Sequence, residues 1–239
     1  MRTISLFVFA LIGVLGLQAQ TFVVNDPNAE IRSVPDFNAI HVSNAIDVYL
    51  VQSSEIGLAV SAREVRFRDK IITQVKDGVL SISYDGSGGS WNSGDRKLKA
   101  YVSVRELREL KASGACDVVV NGLLKANEMS MVFSGASDFK GRLEINRLTL
   151  DVSGASDLNL EGKANELSAR VSGASDVDAF KLITSNSNVD ASGASSFRIT
   201  VQENFSAHAS GSSDIYYKGS AAKTTINSSG SSSIQRKEK

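Results

Sequence analysis

Ser153-Gly154-Ala155-Ser156-Asp157 is one copy of a pentapeptide whose recurrence decides how the whole chain is read. The same five residues begin at Ser134 and Ser172, and variants begin at Ser113 (SGACD), Ser192 (SGASS), Ser210 (SGSSD) and Ser229 (SGSSS). Their glycines, Gly114, Gly135, Gly154, Gly173, Gly193, Gly211 and Gly230, are 21, 19, 19, 20, 18 and 19 residues apart. A period near 20 that drifts by a residue belongs to stacked coils rather than to a catalytic loop.

Aligning the copies on glycine exposes columns. Two residues before it stand Ala112, Phe133, Val152, Val171, Ala191, Ala209 and Ser228; four after it stand Val118, Phe139, Leu158, Val177, Phe197, Ile215 and Ile234. Leu148, Leu150 and Val152, then Leu158 and Leu160, continue one apolar face, while Thr149, Asp151 and Asn159 fall between them. Alternation of period two on both sides of a small-residue corner predicts two short strands per coil joined by a tight arc. Gly-Ala lets the chain bend there, glycine taking a φ that side chains disfavour. The other end of the coil is polar, as in Glu161-Gly162-Lys163-Ala164-Asn165-Glu166. Such a coil buries its apolar face only by stacking, about 4.8 Å from its neighbour. The expected fold is all-β, a parallel β-helix (β-solenoid) with coils of about 19–20 residues.

The sharpest chemical candidate is the acid column Asp117, Asp138, Asp157, Asp176 and Asp214. Carboxylates one strand apart repel by roughly 0.9 kcal/mol per neighbouring pair even at the dielectric of water. Calcium between coils would offset that; the alternative is that each Asp bonds the backbone of its own turn. Ser196 and Ser233 share the column, and serine suits the turn better than calcium. Cys116, the only cysteine, replaces a serine and reads as a small residue in a small-residue column rather than as a reactive thiol. His41 and His208 fall on different strand patterns, without repeated acidic or serine partners. Neither a nucleophile elbow nor a phosphate loop is present, so no catalytic residue, cofactor or metal site is assigned.

Before Ser113 the pattern is looser. In Ile40-His41-Val42-Ser43-Asn44-Ala45-Ile46-Asp47-Val48, Asn44 takes the place of glycine; asparagine is a common non-glycine residue at positive φ, so this reads as a first coil. The period then lapses for about 70 residues. Strands are expected at 56–61, 79–84 and 98–104, with a tight turn at Asp77-Gly78. Residues 85–95 (DGSGGSWNSGD) read as a loop holding the only tryptophan, Trp91. Its indole would either stack on a sugar or a partner, or fold back on its own domain.

Twenty-six basic and twenty-six acidic side chains cancel, which gives no electrostatic argument for nucleic acid or anionic membrane as a partner. Arg2 followed by the apolar run 4–17 and Ala19 predicts a signal peptide over 1–19. That run is shorter than the roughly 20 residues of a membrane span, and none is expected in the mature chain. The protein is expected to be exported, to the periplasm, the outer-membrane surface or the medium.

Phe37-Asn38-Ala39-Ile40, Ser43 to Leu50, Val75 to Ile82 and then the Ser-Gly-Ala-Ser-Asp series resemble, in that order, the family described as "putative auto-transporter adhesin, head GIN domain". The resemblance covers roughly residues 37–235. It implies a right-handed, pectate-lyase-like parallel β-helix in the cell envelope and, by the family's name, adhesion. The organisation expected is a lead-in at 20–36, an irregular part at 37–111, regular repeats at 112–235 and a charged tail at 236–239. The function expected is a non-enzymatic surface scaffold that binds a surface glycan or a protein. A polysaccharide-binding or polysaccharide-cleaving β-helix and a structural or envelope-sensing module are the alternatives. Trp91 and the five aspartates are the candidate ligand or ion contacts.

Overall fold

A computed structural model describes residues 24–86 and 96–238. The expected signal peptide and Trp91 lie outside the described residues. In chain order the first strands are β1 (Glu30–Ile31), β2 (Ala39–Val42), β3 (Asp47–Gln52), β4 (Gly57–Ser61), β5 (Ile71–Lys76), β6 (Val79–Tyr84), β7 (Lys99–Val104) and β8 (Glu109–Ala112). A single turn of helix, α1 (Val65–Arg68), sits between β4 and β5. The long strands follow: β9 (Asp117–Phe133), β10 (Asp138–Val152), β11 (Asp157–Val171), β12 (Asp176–Ala191) and β13 (Ser196–Ala209). Three short ones close the stack, β14 (Asp214–Lys218), β15 (Lys223–Ser228) and β16 (Ser233–Arg236).

The fold is a parallel β-solenoid of about seven turns. Where two short strands per coil were expected, each regular coil has one continuous strand of 14 to 17 residues. Strand β10 pairs with β11 from Phe139↔Leu158 to Val152↔Val171, all at an offset of 19. Inter-coil hydrogen bonds lie across the strand, so the chain bends at its second corner without losing its partner. That corner shows where alternation slips and two outward residues follow each other, at Asn146-Arg147 and Asn165-Glu166. Drift in the repeat is absorbed mainly in the flank between the two corners, with register shifts at Lys140/Arg142, Asn159/Glu161 and Ala179/Ile183, and once at the second corner, at Thr184/Asn186. The pentapeptide arcs stay aligned throughout.

Inside, the columns read from the sequence are the core: Val118, Phe139, Leu158, Val177, Phe197 and Ile215 are buried, as are Phe133, Val152, Val171, Ala191 and Ala209. The arcs stack just as closely. Ala155 N–H donates to Gly135 O at 2.7 Å, and Ala174 N–H to Gly154 O at 2.7 Å. Gly154 has φ +85°, and a Cβ on it would lie 2.2 Å from Gly135 O. The column therefore demands glycine twice, for conformation and for the approach of one backbone to the next. Asn44 does have positive φ, 68°, as its residue type suggested.

The irregular half stacks out of chain order. Strand β2 pairs in parallel with both β6 and β8, and β3 with both β7 and β9. The coil carrying Asn44 is therefore second in the stack, and the later segment 79–104 lies outside it. Antiparallel strands cover that outer coil, β4 on β7, β1 on β4 and β5 on β6. The β5–β6 hairpin turns at Asp77-Gly78, both at positive φ, as expected of a two-residue turn. At the opposite end β15 pairs with β13 and β16 with β14. Ile226 continues the buried column of Leu150, Ala169, Val189 and Ala207, yet it is 40% exposed, since among the described residues β15 pairs only with β13.

Candidate functional site

At the pentapeptide corner the side-chain hydrogen bonds that close the turn come from a residue other than the aspartate. Ser156 Oγ donates to Ser153 O at 3.2 Å, Ser195 Oγ to Ser192 O at 2.9 Å and Ser213 Oγ to Ser210 O at 2.9 Å. The same hydroxyls link coils, since Ser137 N–H donates to Ser156 Oγ and Ser156 N–H to Ser175 Oγ. Ser137, Ser156, Ser175 and Ser213 are wholly buried, which is why each needs its partners. Cys116 fills the first place in this ladder, its Sγ donating to Ser113 O at 3.3 Å. Burial pushes its thiol pKa up, which agrees with the reading of a small structural residue.

The aspartates stand beside this ladder in one column, interrupted by Ser196 and ended by Ser233. Asp138 accepts the backbone N–H of Asp157 in the next coil at 3.0 Å, and Asp214 accepts from the Ser233 hydroxyl. Among the described residues none of the five bonds its own turn as an Asx-turn would; Asp138 and Asp214 bond the next coil instead. Partial burial first, and the charge of Asp138 second, push the Asp117 carboxyl above the usual range; Asp157 is raised by burial and then by Asp138 and Asp176. No group of three or more His, Cys, Asp or Glu among the described residues is arranged to hold a metal ion.

The second corner and the strand after it carry a different surface. At the corner Asn146 Nδ2 donates to Asn127 Oδ1 at 3.1 Å and Asn165 Nδ2 to Asn146 Oδ1 at 3.3 Å. The adjoining column alternates in charge, with Arg147 between Glu128 and Glu166, and then continues as Asn186, Asn204 and Lys223. Lys125 pairs with Glu144 at 2.9 Å, and Lys181 with Glu161 at 2.9 Å. Two residues further on, Ser130, Thr149, Ser168, Asn188, Ser206 and Thr225 form one in-register outward column. An open groove of 500 Å³ follows that column from Thr149 to Thr225, with Arg147, Glu166 and Asn204 along its side. A second groove of 510 Å³ extends it over Arg108, Glu128 and Ser130. The arrangement presents neutral donors and acceptors at the strand spacing, bordered by the Glu128–Arg147–Glu166 ion pairs and, at its end, by Lys223.

The histidines prove related where the sequence reading kept them apart. Register places His41, Lys111, Val132, Asp151, Arg170, Asp190 and His208 in one column beside the groove. His41 Nε2 lies 2.5 Å from Glu109 Oε1, and Lys111 Nζ 3.0 Å from the same atom. The hydrogen bond from His41, helped by Lys111, holds the Glu109 carboxyl below its ordinary value. A signal was present in the sequence: both histidines stand three residues before a corner residue, Asn44 and Gly211.

No helix among the described residues is long and apolar enough to cross a membrane. No curated protein matches the chain. Solved structures do, at a similarity that speaks for the fold. A "putative adhesin" from Bacteroides fragilis NCTC 9343 is 21% identical over 87% of this chain and 95% of its own, with a TM-score of 0.80. A "putative adhesin" from Parabacteroides merdae ATCC 43184 is 21% identical over 88% and 95%, TM-score 0.65. A "putative lipid binding protein" from Parabacteroides distasonis ATCC 8503 is 20% identical over 89% and 98%, TM-score 0.67. The family described as "putative auto-transporter adhesin, head GIN domain" matches residues 36–221, and this chain belongs to it.

Proposed function

We propose that the protein is a non-enzymatic scaffold, exported to the cell envelope by the segment 1–19, whose stacked outer face binds another macromolecule in adhesion. The observation that carries this reading is the groove along Thr149, Ser168, Asn188, Ser206 and Thr225. A row of hydrogen-bonding side chains at a fixed pitch on a rigid sheet suits an extended partner, a surface glycan or a protein strand, because little order is lost on binding. Hydrolysis of a polysaccharide would need two carboxylates converging on one bond. Here Glu128, Glu144, Glu161 and Glu166 are drawn into ion pairs with basic neighbours instead. The family's description and its structural relatives support adhesion in name.

The test is attachment. Cells lacking the protein should adhere less to their surface, and the intact chain should restore adhesion. A variant with Ser168→Arg, Asn188→Arg and Ser206→Arg, folded but with its groove filled, should not. Equal attachment with and without the protein would end this reading.

A further inference from the structure

A second face, away from the groove, has a chemistry of its own. It is the outward side of the strands that follow the pentapeptide in the last four coils. Arg198, Tyr216 and Gln235 are in register on β13, β14 and β16, and Thr200 and Lys218 form the next outward pair. Phe180 and Lys237 complete that second column: Thr200 Oγ1 donates to Phe180 O at 2.8 Å, and Lys237 N–H to Tyr217 O at 2.8 Å. The cations lie over the rings. Lys218 Nζ is 4.4 Å from the Phe180 centroid, Lys237 Nζ is 4.5 Å from that of Tyr216, and Arg198 Cζ is 5.8 Å from the same ring.

None of Arg198, Lys218 and Lys237 has an ion-pair partner among the described residues, although the neighbouring coils pair theirs, as in Arg142–Glu161–Lys181. Positive charge at a sheet edge also guards against strand pairing. That role suits Lys223, Arg236 and Lys237 on and just after the final strands. It does not explain Lys218, one strand inside the edge, or Arg198, two strands inside. Asp178 is in register beside Arg198 without forming an ion pair and offsets only that one charge, so the repulsion among these neighbouring cations costs stability unless a further anion joins them. Ring stacking also holds each cation extended over the sheet before any ligand arrives.

We propose that this face binds a linear acidic polysaccharide, its carboxylates on Arg198, Lys218 and Lys237 and its sugar rings against the open edges of Tyr216 and Phe180. Coils about 4.8 Å apart match the length of one pyranose residue, so a glycan laid along the stack meets one coil per sugar. Of the strongly exposed apolar side chains only Ile183, in register with Thr200, borders this face, and a single isoleucine is a poor wedge for a lipid surface. A chain of zero net charge lacks the footprint of a nucleic-acid binder. This face is separate from the groove and stands or falls independently of adhesion.

The experiment titrates the purified mature chain with a linear polyuronate, with neutral dextran, with a single-stranded oligonucleotide and with vesicles containing phosphatidylglycerol. Polyuronate should bind, more weakly as salt rises, and the other three should not bind comparably. Arg198→Ala with Lys218→Ala should raise Kd about tenfold without lowering the melting temperature. Tyr216→Ala should weaken binding without changing its salt slope. Lys125→Ala with Lys163→Ala, on the second corner, is the control that leaves Kd alone. No polyuronate binding, equal affinity in the Arg198/Lys218 variant, or equal binding of oligonucleotide or vesicles would each overturn the proposal.

Discussion

The two corners of each coil stack with the same pitch and are built on opposite rules. At the pentapeptide corner the ladder is steric and buried: glycine against glycine backbone, serine hydroxyl against serine N–H, with like-charged aspartates on the rim. At the second corner it is electrostatic and exposed, with asparagine bonded to asparagine and Glu128–Arg147–Glu166 alternating in sign. A buried polar ladder has no water to substitute for a lost partner, whereas an exposed ion pair does. The first corner should therefore tolerate almost no change. The second is free to vary, and the groove runs beside it.

Substitutions can break that contrast, and the largest effect belongs to the arc. Gly154→Ala should destabilise by roughly 3–5 kcal/mol, from strain at positive φ and from the collision with Gly135 O, read by chemical denaturation. Ser156→Ala leaves Ser137 N–H without its acceptor and should cost about 1–3 kcal/mol. Ser156→Cys should cost less, since Cys116 fills the same place one turn into the repeats.

Asp157→Ser should act the other way. With its folded-state pKa raised, Asp157 holds a proton more tightly in the native chain, so its charge costs stability once the pH climbs past its ordinary value of 3.8 and through the raised one. The variant should be more stable than the parent at pH 7, by under about 1 kcal/mol, and the gain should vanish on acidification below that window. Thermal melts across pH 3–7 read both, and calcium should shift neither protein's melt. Arg147→Ala, at the permissive corner, should give the smallest change of all, visible at low salt and lost at high salt. A large, salt-independent loss there would undo the distinction between the corners.

Much of this was legible because a solenoid turns sequence period directly into spatial neighbours. The glycine spacing, the aliphatic columns and Asn44 at positive φ all follow from residue type and position. The aspartate reading went astray since a turn bond and a bond to the next coil need the same residue at the same place. The serine beside it looked merely small, and its burial is a property of the stack. The N-terminal half resisted for a related reason: the period lapses, and nothing local announces that β2 will lie between β6 and β8.

Residue type and period were enough for the class of fold, the corner residues, the core columns and the kinship, because each rests on local conformation repeated in register. Stacking alone sets which coil is outermost, which polar side chain closes the turn, that the two histidines share a column and that Arg198, Lys218 and Lys237 gather over two rings. Those depend on neighbours that stacking brings together from distant parts of the chain, and the free energy that selects them is inter-coil pairing and burial rather than local preference.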